Sequence, residues 1–156
     1  MSGDATVPAA RLDAPPETLD DDPSLGTIMT SHLVGITPDA PVRTALQAMA
    51  AREVRHLPVI DDGRCVGLVT EPDLLRGMVA EHGPLGATTV RVHEVAGRAV
   101  VLGERTRLSA AAARMAERHV DAVLVGSVDR LVGIVTTTDV VRVWSRHSGP
   151  AGATHD

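Results

Sequence analysis

Two short strings, 66 residues apart, each place a threonine three residues before an aspartate at the end of an apolar run. They occupy residues 67–73 (Gly-Leu-Val-Thr-Glu-Pro-Asp) and residues 133–139 (Gly-Ile-Val-Thr-Thr-Thr-Asp). A hydroxyl followed three residues later by a carboxylate is typical of a helix N-terminus, where the two side chains cap unpaired backbone groups. A helix N-terminus also attracts anions and hydroxyl groups, because its first N–H groups lack intrahelical partners. The strings therefore predict helix caps, the polar edge of a nucleotide site, or both.

The two strings belong to two copies of a longer pattern. At an offset of 66, residues 34–76 align with residues 100–142 without a gap, and identical pairs include Met49 with Met115. Each copy has the periodicity of a strand, a helix, a two-stranded hairpin and a second helix. An internal duplication of this kind predicts an α+β (α/β) fold of two β-α-β-β-α repeats that pack on each other, because one copy leaves a sheet face uncovered.

Composition divides the chain into five predicted segments. They are a flexible acidic N-terminal tail (1–23), a first repeat (24–81), a Gly/Pro/Thr-rich linker (82–91), a second repeat (92–146) and a flexible C-terminal tail (147–156). The first strand of each repeat is predicted at residues 33–36 and 99–102, where short apolar runs precede a turn.

Composition also excludes several functions. The 156 residues include one Trp, no Phe and no Tyr, and the net charge is −5, which disfavours a nucleic-acid partner that needs stacking platforms or a basic surface. All fifteen basic side chains are Arg, so lysine chemistry is excluded. Cys65 is the only cysteine and the histidines lack metal-ligand spacing, so we expect neither a disulfide nor a metal site. Without a signal sequence or an apolar run of about 18 residues, we expect a cytoplasmic protein with no membrane partner.

The duplication, the run Val-Arg-His-Leu-Pro-Val-Ile-Asp at residues 54–61 and the two Gly-x-Val-Thr-x-x-Asp strings together resemble tandem CBS domains. These regulatory repeats are named after cystathionine β-synthase, and a pair forms a Bateman module. The resemblance covers about residues 24–146. It implies a pseudo-twofold module with two clefts between the repeats, which commonly dimerises. It also implies adenosyl ligands: AMP, ADP, ATP, S-adenosylmethionine or, in some members, cyclic dinucleotides.

The resemblance implies two ligand sites of unequal strength. The first-site residues are Thr37, Arg55, His56, Leu57, Pro58, Thr70 and Asp73. The second-site residues are Gly103, Ala122, Val123, Thr136 and Asp139. In each site the aspartate would hold the ribose hydroxyls and the threonine would reach phosphate or ribose, while Arg55 and His56 would approach the phosphates of the first.

We expect the second site to be weaker because its flanking residues differ. Gly103 replaces Thr37 and removes a hydroxyl, and Asp121 replaces Arg55 with a carboxylate that would repel phosphate. The Thr-x-x-Asp strings retain their cap function, worth roughly 1 kcal/mol, whether or not a ligand binds.

The sequence favours a stand-alone, non-enzymatic regulatory module that binds an adenosyl ligand without an obligatory cofactor. We expect it to form a homodimer and to act in trans on a protein that the sequence does not identify. The alternative is a structural or interaction dimer that binds no ligand. Trp144 on the last helix suits either a dimer contact or the edge of the core. An enzyme is disfavoured, since no catalytic spacing of Ser, His and Asp or of paired carboxylates stands out.

Overall fold

Each repeat forms a helix, a β-hairpin and a second helix, with a short helical turn before them. The computed structural model describes residues 22–83 and 89–147. Its elements in chain order are α1 (Leu25–Ile28), α2 (Val42–Arg52), β1 (His56–Asp61), β2 (Arg64–Thr70), α3 (Glu71–Glu81), α4 (Val92–Val95), β3 (Val101–Leu102), α5 (Leu108–Arg118), β4 (Ala122–Ser127), β5 (Arg130–Thr136) and α6 (Thr137–His147). The predicted tails, apart from residues 22, 23 and 147, and residues 84–88 of the predicted linker lie outside the described residues.

The two hairpins have the same register. In the antiparallel pair β1–β2, His56 lies opposite Thr70, and in β4–β5, Ala122 lies opposite Thr136. The first hairpin turns through Asp62 and Gly63, both with positive φ (52° and 79°), as a tight two-residue connection requires. Each Thr-x-x-Asp string therefore follows the last strand of a hairpin directly and begins the next helix.

The first strands are shorter than predicted. In the second repeat only Val101–Leu102 forms a strand, parallel to β4. The strand predicted at residues 33–36 is wrong: Ile36 alone bridges Val59, with its N–H donating to the Pro58 carbonyl at 3.0 Å. Gly35 precedes this bridge and Pro38 follows it closely, and both residue types are unfavourable in a strand.

Each repeat contributes its short leading helix to the core of the other repeat. Leu25 of α1 is fully buried in the second core, and its N–H donates to the Thr106 carbonyl at 2.8 Å. Val92 of α4 is fully buried in the first core, and its N–H donates to the Ala40 carbonyl at 2.8 Å. Each structural core therefore combines the main elements of one repeat with the short leading helix of the other.

A third apolar cluster joins the two repeats along their sheets. Leu68 of β2 is buried against Leu124 of β4. Leu68 and Gly97 exchange two backbone hydrogen bonds at 3.0 and 2.9 Å, and Thr30 and Ile134 exchange two at 3.0 Å in the related place. The ends of β2 and β5 are thus held against the segment that leads into the opposite repeat. These two junctions are where the clefts form.

Candidate functional site

The first Thr-x-x-Asp string forms a complete helix cap. The Thr70 hydroxyl accepts a hydrogen bond from the Asp73 N–H at 3.3 Å, and Asp73 Oδ2 accepts one from the Thr70 N–H at 3.0 Å. The other Asp73 oxygen accepts a hydrogen bond from Arg76, one helical turn further along. Both carboxylate oxygens therefore have protein partners before any ligand binds.

The second string repeats this arrangement with one difference. Asp139 Oδ2 accepts hydrogen bonds from the Thr136 N–H at 2.8 Å and from the Thr136 hydroxyl at 3.2 Å. Its Oδ1 accepts one from Arg142 Nη1 at 3.0 Å. The hydroxyl is a donor here and an acceptor in the first string. Asp139 is the only buried polar or charged residue in the described part of the chain, at 8% exposure.

The first turn of α3 does not offer free N–H groups to an anion. The Glu71 N–H donates to the Arg55 carbonyl at 3.1 Å, the Asp73 N–H donates to Thr70, and Pro72 has no N–H. An anion near this helix must therefore be held by side chains.

A large cavity of about 650 Å³ adjoins the first string. Thr70 and Asp73 line it from the first repeat, and residues 97–100 and 118–121 line it from the second. A smaller cavity of about 220 Å³ adjoins the second string. Here Thr136 and Asp139 line the cavity from the second repeat, and residues 32–34 and 53–56 line it from the first. Each cavity thus combines the string of one repeat with the leading segment and the helix end of the other.

The predicted first site is divided between these two cavities. Arg55 and His56 neighbour Thr70 and Glu71 along the hairpin, but they line the smaller cavity with Thr136, although we expected them in the same site as Thr70. Asp121, expected near the second string, lines the larger cavity. The packing of the repeats explains both differences, because it turns the C-terminal ends of α2 and α5 toward the string of the opposite repeat.

The remaining predicted residues lie outside both cavities. Leu57 and Val123 are fully buried in the first and second cores, and Ala122 is buried in the apolar cluster that joins the repeats. Pro58 and Gly103 line two other surface cavities of about 300 and 500 Å³. Thr37 is exposed. None of these six residues lines a cavity that adjoins a Thr-x-x-Asp string. Of the predicted first site, the structure keeps only Thr70 and Asp73 together in the larger cavity.

Sequence reasoning missed several residues that line the larger cavity, notably Arg98, Arg118 and His119. His119 follows α5 in the left-handed conformation (φ 56°), and Glu53 follows α2 with the same angle. The duplication could have found these residues: at the offset of 66, they correspond to positions 32, 52 and 53 of the first repeat. The correspondence points to these cavity residues only when it is known which segments of one repeat pack against the string of the other.

Cys65 lies at the seam between the repeats, outside both cavities. Burial raises the pKa of the Cys65 thiol, and its hydrogen bond to the Gly67 carbonyl at 3.5 Å opposes that rise. Within residues 22–83 and 89–147, no three His, Cys, Asp or Glu side chains are grouped to hold a metal ion. In the same part of the chain, no helix has the length and apolar character needed to cross a bilayer.

Comparison with known proteins is consistent with this architecture. The family described as "CBS domain" matches residues 25–80 and 92–146. The mitochondrial CBS domain-containing protein CBSX3 of Arabidopsis thaliana is 40% identical over 60 residues, covering 37% of this chain and 29% of the relative. The aligned regions span half or less of the length of the curated relatives that the chain matches.

Two solved structures have similar folds. The CBS domain pair of protein MJ0100, in complex with 5′-methylthioadenosine and S-adenosylmethionine, has a TM-score of 0.68 and 21% identity, covering 79% of this chain and 96% of that one. A hexameric CBS-CP12 protein from bloom-forming cyanobacteria has a TM-score of 0.67 and 27% identity, covering 77% and 67%. The predicted α+β fold of two packed repeats is confirmed, and the chain belongs to the CBS domain family, of which it contains two copies.

Proposed function

We propose that this chain is a regulatory module that binds an adenosyl ligand in the larger cavity, beside Thr70 and Asp73. One observation carries the proposal: a cavity of about 650 Å³ brings a polar string from one repeat against a mixed apolar and polar wall from the other. Small-molecule sites occupy roughly 300–1,000 Å³, which includes the larger cavity and excludes the smaller. The adenosyl ligands of the structurally similar MJ0100 pair support this ligand class.

The lining suggests how an adenosyl group would be held. Leu68, Val100 and Val120 supply apolar surface for a base. Asp73 supplies a carboxylate that would accept hydrogen bonds from ribose hydroxyls after Arg76 releases one of its oxygens. The Thr70 hydroxyl lies at the same edge and also supports the helix cap.

The regulatory step follows from the position of the cavity between the repeats. A ligand that contacts both repeats favours whichever arrangement binds it more tightly, and only in proportion to that difference in affinity. The proposal gives this chain no catalytic step and no obligatory cofactor. The regulated protein would be bound in trans.

We also propose that the module self-associates through α3 and α6. These helices expose the large apolar side chains Leu75 and Val79, and Val141 and Trp144, each between 50% and 72% exposed. Leu75 and Val141 occupy corresponding positions in the two repeats, so one chain presents two related apolar faces. Related faces of this kind suit an interface with a second copy, which places like residues together around a twofold axis.

Calorimetry and thermal unfolding test the ligand proposal. The ligands are AMP, ADP, ATP, S-adenosylmethionine, 5′-methylthioadenosine and cyclic di-AMP. A compound present at about 100 times its dissociation constant should stabilise the folded chain by about 2.7 kcal/mol. If none of the six binds, the sensor proposal is wrong.

A ligand-free interaction module is the second candidate. It is favoured by the hydrogen bonds that already occupy both oxygens of Asp73 and of Asp139. In that case the strings are caps only, and the apolar faces of α3 and α6 carry the function. Failure of all six compounds together with concentration-dependent self-association would establish this candidate.

A further inference from the structure

We infer that the second repeat carries a further small-molecule site at the tip of its hairpin, and that this site takes a zwitterionic α-amino acid. The site is the surface cavity of about 500 Å³. Its described lining comes from the turn after β3 and from the β4–β5 hairpin: Gly103, Glu104, Gly126, Ser127, Arg130 and Val132. None of these residues lines a cavity beside a Thr-x-x-Asp string, so the inference is independent of the proposed adenosyl site.

Two glycines distinguish this place from its counterpart in the first repeat. Gly103 and Gly126 occupy the positions that Thr37 and Ile60 hold there, so the second repeat lacks two side chains. Gly126 has a φ of 122°, and a Cβ atom at this position would overlap the Arg130 carbonyl oxygen, so glycine is required. A Cβ atom at Gly103 would meet no neighbouring atom within 4 Å. The missing side chains leave open space at the hairpin tip.

The cavity presents two opposite charges without partners. Glu104 and Arg130 are the ionisable residues of the lining, and neither side chain forms an ion pair or a hydrogen bond within residues 22–83 and 89–147. Asp129, the neighbour of Arg130 in the chain, is engaged by Arg64 at 2.8 Å. An anion would be repelled by Glu104 and a cation by Arg130, whereas a zwitterion satisfies both charges.

The polar lining suits an amino acid better than a nucleoside. Arg130 would bind the α-carboxylate through its forked N–H groups, and Glu104 would accept hydrogen bonds from the α-ammonium group. The Ser127 hydroxyl adds one donor and one acceptor. Val132 is the only apolar side chain in the described lining, which leaves little surface for a purine ring. The volume of about 500 Å³ lies within the roughly 300–1,000 Å³ of small-molecule sites.

Both walls of the cavity are held in place before a ligand binds. The Glu104 carbonyl accepts a hydrogen bond from the Gly26 N–H at 2.9 Å, so α1 fixes the turn that carries the carboxylate. On the other wall, Ser127 and Arg130 lie opposite each other at the end of the β4–β5 ladder. A backbone that is already ordered lowers the entropic cost of binding.

Amide NMR of the full chain, titrated with each standard α-amino acid in turn, tests the site. We expect at least one of them to shift the signals of residues 103–104 and 126–132. The N-acetyl derivative and the carboxamide of that amino acid each lack one of its two charges. Each derivative should bind about tenfold more weakly than the parent, because one charge-assisted contact is lost.

Variants of the lining test the same contacts from the side of the protein. Arg130→Gln and Glu104→Gln should each weaken the amino acid about tenfold. Arg64→Gln is the matched control, because Arg64 is the repeat counterpart of Arg130 and does not line this cavity. Gly103→Val takes up part of the open space and should also weaken binding, whereas Thr37→Val, at the corresponding position of the first repeat, should not.

The outcomes separate the site from its ligand class. If no amino acid shifts the signals of residues 103–104 and 126–132, the site is refuted. If the derivatives bind as tightly as the parent, or if either glutamine variant binds like the wild type, the zwitterion assignment is wrong. Urea unfolding should show that the variants fold like the wild type, and if one of them does not, the two derivatives decide the ligand class. None of these results alters the adenosyl proposal, which is tested with other compounds.

Discussion

His56 of the first repeat and Asp121 of the second repeat form a hydrogen bond across the boundary between the repeats, with Nε2 and Oδ1 3.1 Å apart. The His56 side chain is 15% exposed and lines the smaller cavity, whereas the Asp121 side chain is 65% exposed and lines the larger one. The two cavities therefore share a polar contact between one side chain from the lining of each.

This contact should contribute measurably to stability. In a double-mutant cycle of His56→Ala and Asp121→Ala, we expect a coupling energy of about 0.5–1 kcal/mol in urea unfolding, because one partner is largely buried. The control cycle uses Arg64 and Asp129, which also pair between the repeats at 2.8 Å but are 64% and 70% exposed. A coupling for His56 and Asp121 no larger than that of the control pair would show that the contact adds nothing.

The two aspartates of the strings should differ in ligand binding and agree in stability. Asp73→Ala should weaken the adenosyl ligand more than Asp139→Ala does, since Asp73 lines the cavity of nucleotide size. Each variant loses a helix-capping carboxylate and should cost about 1 kcal/mol in urea unfolding. Calorimetry with each variant measures the binding effect. A larger loss for Asp139→Ala would place the ligand in the other cavity.

Asp22 should stabilise the fold only above acidic pH. Its carboxylate accepts hydrogen bonds from the Ser109 N–H at 2.8 Å and the Ser109 hydroxyl at 2.7 Å, in the first turn of α5. These two bonds, with help from the positive charge of Arg107, hold the pKa of Asp22 below its usual range. Because the folded pKa is depressed, the stabilisation is complete above the unfolded value near pH 4 and is lost as pH falls further.

We therefore expect Asp22→Ala to cost about 0.5–1 kcal/mol at pH 7 and progressively less below pH 4, measured as urea midpoints across pH. Asp39→Ala is the control, because the Asp39 carboxylate accepts no hydrogen bond from any described residue. A stability difference for Asp22→Ala that persists undiminished at pH 2 would contradict the assignment.

The exposed apolar side chains of α3 and α6 should determine the oligomeric state. Leu75→Glu combined with Trp144→Glu should convert an associated chain to the monomer, because each places a charge on a face that self-association would bury. Sedimentation velocity over a range of concentrations measures the change. Val66→Glu serves as the control, since Val66 is 58% exposed and belongs to the strand β2 rather than to either helix. A wild-type chain that is monomeric at all concentrations would refute self-association.

The sequence by itself determined the repeated parts of this protein. Residues 67–73 and 133–139 each predict a strand followed directly by a capped helix. Each capping hydrogen bond joins residues three positions apart, so it depends on local sequence alone. The α3 bounds, the hairpin turn at Asp62 and Gly63, and the burial of Met49 with its counterpart Met115 follow from the same short-range patterns.

Only the tertiary structure decided which segments of one repeat line the cavity beside the Thr-x-x-Asp string of the other. The 66-residue offset pairs Arg55 with Asp121 as equivalents, but equivalence does not determine contact. The packing places Arg55 and Asp139 in the lining of one cavity, and Asp121 and Asp73 in the lining of the other. It also sends the leading helix of each repeat into the opposite core. These relations arise from burying two sheet faces against each other, a long-range requirement that no local pattern encodes.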